Sequence, residues 1–151
     1  MLYPNMVELE VTSQNDFSAA RFRAKLRSMM TRLLGKCNEL LSLEAVLDGA
    51  LVKGQHALGI RTVPIDEIVG SGGRADEFDR AFYPRRDLTR ERWKRVDQAS
   101  KSGVELPPVE LRKVGEQYFV MDGHHRISVA RQRGQRYIDA QVVEMIIARR
   151  L

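Results

Sequence analysis

Tyr118-Phe119-Val120-Met121-Asp122-Gly123-His124-His125-Arg126-Ile127-Ser128-Val129-Ala130 is the stretch that decides the fold. Tyr118 to Met121 is a short aromatic and β-branched run of the kind that forms a buried strand. Asp122-Gly123 breaks it. Ile127, Val129 and Ala130, with Arg131 and Arg133, then read as the first turns of a helix, which Gly134 closes as a C-cap glycine. A strand, a glycine turn and a helix start bring unpaired backbone N–H groups and the positive end of the helix dipole to one point. An anion fits there, and Arg126 adds a forked donor suited to phosphate.

Each residue of this turn has an alternative role. Arg126 contacts a phosphate or forms a salt bridge to Asp122 or Glu110. Gly123 lets a ligand approach the backbone or is an ordinary turn glycine. Asp122 holds Mg²⁺ beside a phosphate or caps the helix. His124 and His125 diverge by about 100° at a helix start, so a shared metal ion is disfavoured. A hydrogen bond from one of them to phosphate, or acid/base work near neutral pH, is the expected role, against a purely structural one.

Working outward, the 151 residues suffice for one core with a small helical appendage. No apolar run reaches membrane-spanning length, the N-terminus lacks an export signal, and the single Cys37 permits no internal disulfide, so a cytoplasmic location is expected. A net charge of +5 and a pI near 9.7 suit a nucleotide or polyanion partner.

Met6 to Val11 alternates weakly, as an edge strand or a loose segment would. From Asp16 the spacing of Phe22, Leu26, Met29, Met30, Leu33 and Leu34 predicts an amphipathic helix. Its other face carries Arg21, Arg23, Lys25, Arg27, Arg32 and Lys36, with no acid between Phe17 and Lys36. That basic face is either solvated or a surface for phosphates, DNA or an acidic partner, and the apolar stripe is core or a homodimer contact. Leu40 to Leu51 predicts a second helix, followed by a connector around Gly49, Lys53 and Gly54. Val63 to Val69 begins as a strand, and Gly70-Ser71-Gly72-Gly73-Arg74 reads as a loop able to curl around an anion. A helix is predicted from Asp87 or Thr89 to Ser102, with Leu88, Trp93, Val96 and Ala99 inward and Arg90, Arg92, Lys94 and Arg95 outward. Val109 to Val114 and the central strand are joined by a turn at Gly115-Glu116. Tyr137 to Ile147 is the last strand.

Several of these segments, in order, resemble the ParB/sulfiredoxin-like superfamily. Val63-Pro64-Ile65-Asp66-Glu67-Ile68 resembles its opening strand. Tyr83-Pro84-Arg85-Arg86 with the Trp93 helix is similar to the arginine box of partition proteins, and Leu106-Pro107-Pro108-Val109 resembles the next strand. Asp122-Gly123-His124-His125-Arg126 stands where the family has its Gly-x-x-Arg phosphate motif. The resemblance implies an α+β fold, with an N-terminal helical segment over 1–57 and a mixed sheet with flanking helices over 58–151. It implies phosphate or nucleotide contacts from Gly123, His124, His125, Arg126, Ser71, Arg74 and Arg85, and a nucleotide (ATP, ADP or CTP) with Mg²⁺ on Asp122.

Departures sort the branches. Sulfiredoxins carry a catalytic cysteine in this motif, where His124 and His125 stand here. The partition proteins continue into a helix-turn-helix, for which a chain stopping at Leu151 has no room. The Asp-Gly-x-His-Arg spelling is closer to that of free serine kinases of the same superfamily, a resemblance that implies a general base from Asp66, Glu67, Asp76 or Glu77. A phosphate-binding protein of regulatory or DNA-associated output is the first expectation. A phosphotransferase with Glu67 and His125 as catalytic residues is the second, and a DNA-binding or nuclease module the third.

Overall fold

The computed structural model describes residues 5–149. Met1–Pro4 of the expected N-terminal segment, and Arg150-Leu151 at the end of the expected sheet domain, lie outside the described residues. The fold is α+β, as expected: a six-stranded mixed sheet with flanking helices, preceded by a long N-terminal helix.

The strands are β1 (Leu41–Ser42), β2 (Ala50–Pro64), β3 (Ile68–Ser71), β4 (Val109–Val114), β5 (Gln117–Asp122) and β6 (Tyr137–Arg149), in the order β1-β3-β5-β4-β6-β2. β3 runs parallel to β1 and β5, β4 pairs antiparallel with β5 and parallel with β6, and β2 closes the edge antiparallel to β6. Period-2 alternation gives the sheet two apolar faces. Val120, Leu111, Val109, Ala140 and Val142 pack on one side, and Phe119, Val114 and Met145 on the other.

The helices are α1 (Met6–Leu33), α2 (Leu43–Leu47), α3 (Arg90–Lys101) and α4 (His124–Gln132). Ile127 and Ala130 of α4 join the first sheet face. α3 packs on α4 through Trp93 and Val129, and α1 packs on α3 through Phe17, whose ring meets Trp93 edge-on at 5.6 Å. Trp93 is fully buried, and its indole N–H donates to the buried Ser128 hydroxyl at 2.9 Å. The small α2 covers the other sheet face.

Three predicted elements differ. Met6 to Val11 is the first turns of α1 rather than an edge strand. The Asn5 side chain accepts the Glu8 N–H at 2.7 Å, and Leu9 opens a buried face continued by Ser13, Phe17, Ala20 and Ala24. The second helix stops at Leu47, and residues 50–57, expected as helix and connector, form the first half of β2. Gly49 takes a left-handed turn (φ 75°), after which the long partner strand β6 captures the chain. Gly70 and Ser71 belong to β3, not to a loop: a Cβ on Gly70 would lie 2.5 Å from the Phe119 ring. Within α3, Leu88 precedes the helix and is exposed, whereas Lys94, expected outward, is buried and pairs with Glu10 of α1.

The turn from β5 to α4 rests on Gly123. Its φ of 106° lies in the left-handed region, and a Cβ there would sit 2.5 Å from Val109 Cγ1. Left-handed strain plus overpacking should cost about 2–4 kcal/mol in Gly123→Ala. Urea denaturation is expected to show a lower midpoint at unchanged slope. A midpoint equal to that of the parent would contradict this close approach.

Candidate anion site at the start of helix α4

α4 begins at the C-terminal end of β5, next to the C-terminal end of the parallel strand β3. Gly123, its N-cap, has no side chain to accept a hydrogen bond, and no acid stands in the first turn. The first N–H groups of α4 therefore lack the usual cap. Trp93, fixed under α3 by Ser128, sets its neighbours Arg92, Arg95 and Val96 over this terminus. Arg74, from the segment after β3, borders the same cavity. Together with Gly123, His124, His125 and Arg126 they line a cavity of about 270 Å³. Arg74, Arg92 and Arg95 are exposed, and none of them forms an ion pair among the described residues.

The two histidines are held differently. His124 Nε2 is 2.6 Å from the buried Ser71 Oγ, which also accepts the Gly73 N–H at 3.0 Å. A Ser71 O–H donating to a neutral His124 ring satisfies both contacts. His125 packs edge-on against Phe78 at 5.3 Å, and its buried Nε2 has no hydrogen-bond partner among the described residues. Burial pushes both imidazoles down to about 4, and the Arg74 guanidinium pushes the same way. Asp122 opposes the fall at His124, while His124 and Arg92 add to it at His125. Both rings are neutral at pH 7.

Of the residues expected at the site, Gly123, His124, His125, Arg126 and Arg74 are brought together here. Ser71 stands behind His124 as its support and is itself buried. Arg126 is a brace. Its guanidinium donates to the Pro107 carbonyl, to the Pro108 carbonyl at 3.0 Å and to Asp122 at 3.0 Å, which is the salt-bridge alternative read from the sequence. Arg85 does not reach the cavity; it borders a separate groove along α1. Glu67 precedes the first residue of β3, at the end of that strand away from His124, so the expected pair of Glu67 and His125 is not assembled. Asp66 pairs with Arg131 and the exposed Asp76 faces Arg86 at 3.8 Å. No carboxylate lines the cavity, so its residues do not fit a magnesium ion. Asp122 is exposed and paired with Arg126, and among the described residues no three His, Cys, Asp or Glu side chains cluster.

Arg92 and Arg95 were predicted outward with the other cations of α3. Their spacing at i and i+3, with Val96 beside Arg95, places them on one face, but only the packing of α3 on α4 shows what that face covers.

The chain matches no family model and no curated protein. Among solved structures it is similar to the sulfiredoxin of Arabidopsis thaliana, at 19% identity over 55% of this chain and 82% of that chain, with a TM-score of 0.36. The likeness is too loose to carry weight, and the fold stands on its own strand order. Among the described residues no helix is long and apolar enough to cross a membrane.

Neutral buried histidines make the fold sensitive to acid. The unfolded chain takes up these protons near pH 6.5, and the fold refuses them until about pH 4. Stability that is fully present above pH 6.5 is therefore lost as pH falls toward 4. Asp97, pushed up to about 6 by burial and by Asp16, acts in the opposite sense, so the comparison must hold it constant. Between pH 7 and pH 5 the parent chain is expected to lose more stability in urea than His125→Gln does. Parallel profiles would contradict a buried neutral His125.

Proposed function

We propose that this protein binds the phosphates of a nucleotide at the start of α4. The observation that carries the reading is the convergence of Arg74, Arg92 and Arg95, unpaired among the described residues, on a helix N-terminus with no capping side chain. Three guanidinium groups and a helix dipole suit a polyphosphate better than a single carboxylate. The resemblance of Asp122-Gly123-His124-His125-Arg126 to a phosphate motif supports the same position, and from it comes the expectation of a regulatory or DNA-associated output. Charge neutralisation falls to the arginines. A magnesium ion, if one arrives, comes on the nucleotide.

Phosphotransfer has one observation in its favour, the unpartnered Nε2 of His125 in the cavity wall. Against it, no carboxylate lines the cavity. Binding without group transfer is therefore the preferred reading, with His125 as a hydrogen-bonding partner of the phosphate.

Calorimetric titration with ATP, ADP, CTP and GTP, with and without Mg²⁺, tests this. Saturable binding of at least one nucleotide is expected. A charge-assisted hydrogen bond contributes about 1.5–3 kcal/mol, so Arg92→Ala and Arg95→Ala should each weaken binding about tenfold or more. No binding by any nucleotide, or binding indifferent to both substitutions, would contradict the assignment.

A further inference from the structure

The outer face of α1 carries apolar side chains that stand open to solvent. The last buried residue of the 28-residue helix is Ala24, so its final turns reach past the core they start on. Directly opposite the buried face stand Phe22, Leu26, Met29 and Leu33, at steps of four, three and four residues. Phe22 is 66% and Leu33 86% exposed, and Leu26 and Met29 are also open to solvent. Single exposed apolar side chains are ordinary, but four in one line at this spacing form the seam by which one helix packs on another. Nothing in the fold of the described residues covers it.

Charge says what kind of helix fits. Beside the seam, α1 borders a groove of about 500 Å³ into which Lys25, Arg32, Lys36 and Arg85 bring cations with no ion-pair partner among the described residues, against two acids in the lining, the exposed Glu39 and Asp79, which is buried and paired with Arg27. No acid occurs between Phe17 and Lys36. A second copy of the same seam would set like charges against like: of the three acids of α1, Glu10 and Asp16 are already held by Lys94 and Lys101, which leaves Glu8 alone to offset Arg21, Arg23, Lys25, Arg27 and Arg32. A nucleic acid backbone would use the cations and leave Phe22, Met29 and Leu33 in water. A lipid surface favours cations rimming a convex apolar face, whereas here they line a recess.

We propose that α1 docks an amphipathic helix of another protein, with its apolar stripe over Leu26, Met29 and Leu33 and acidic side chains in the adjoining groove. The complementary charges would set orientation and speed encounter, while the apolar seam holds the complex. This surface is separate from the cavity at α4, and its partner does not depend on a nucleotide being bound there.

The test uses the full chain and a labelled synthetic three-heptad peptide with leucine at a and d and glutamate at e and g, read by fluorescence anisotropy. A matched peptide with lysine at e and g serves as comparison. Saturable binding of the acidic peptide, at least about tenfold tighter than that of the lysine peptide, is expected. Leu26→Glu/Met29→Glu should abolish it and Lys25→Glu/Arg32→Glu weaken it about tenfold, both with unchanged thermal melts because these side chains lie outside the core. Arg92→Ala should leave it intact. The proposal is overturned if the acidic peptide does not bind or binds no better than the lysine peptide. It is overturned equally if sedimentation shows a dimer that Leu26→Glu/Met29→Glu dissolves, or if phosphatidylglycerol vesicles or a DNA duplex occupy the same face in place of the peptide.

Discussion

One hydrogen bond between two fully buried side chains, from the Trp93 indole to the Ser128 hydroxyl, fixes α3 against α4. Its cost if broken is asymmetric: a buried donor without an acceptor forfeits its whole desolvation energy, so each group pins the other. Around it the helices are layered. α4 lies on the sheet through Ile127 and Ala130, α3 on α4 through Trp93, and α1 on α3 through the edge contact of Phe17. Since Arg92 and Arg95 flank Trp93, the bond that orders the core also aims their side chains at the start of α4.

The resulting site concentrates positive charge without burying it. Arg74, Arg92 and Arg95 remain exposed, which spares them the desolvation that a buried guanidinium would suffer. The buried groups at the same place, His124 and His125, stay neutral because burial and the nearby arginines both disfavour their charged forms. The positive field thus comes from groups that water already solvates, and the neutral rings supply shape and hydrogen bonds. Arg126 holds the Pro107-Pro108 segment and Asp122 in place, so its contribution is to the geometry of the turn more than to its charge.

Much of this was legible in the sequence where local chemistry decides the outcome. The β5 run, the hairpin at Gly115 and the burial of Trp93 follow from residue type and spacing and stand as predicted, and the break comes at Gly123, one residue later than expected because Asp122 still pairs with Glu110. What could not be read depends on partners distant in sequence. Leu51 continues the leucine spacing of the preceding segment and Lys53-Gly54 reads as a connector, yet residues 50–57 are strand because β6 lies alongside. Met6 to Val11 alternates like a strand, yet Leu9 belongs to a face that only α3 completes. Arg92 and Arg95 looked like any cations on a solvated helix face until that face met α4. Glu67 and Arg85 illustrate the converse: they lie on either side of the Gly70-to-Arg74 segment expected at the site, and the direction of β3 and the course of the chain along α1 take them away from it.

The most direct measurement is a two-dimensional ¹H–¹⁵N spectrum of the chain titrated with pyrophosphate, the minimal polyphosphate. Backbone amides of His124, His125 and Arg126, with the side-chain signals of Arg92 and Arg95, are expected to shift together along one saturable curve while β2 and β6 stay unmoved. Shifts confined to the basic groove of α1, or no saturable shift at the start of α4, would contradict the account.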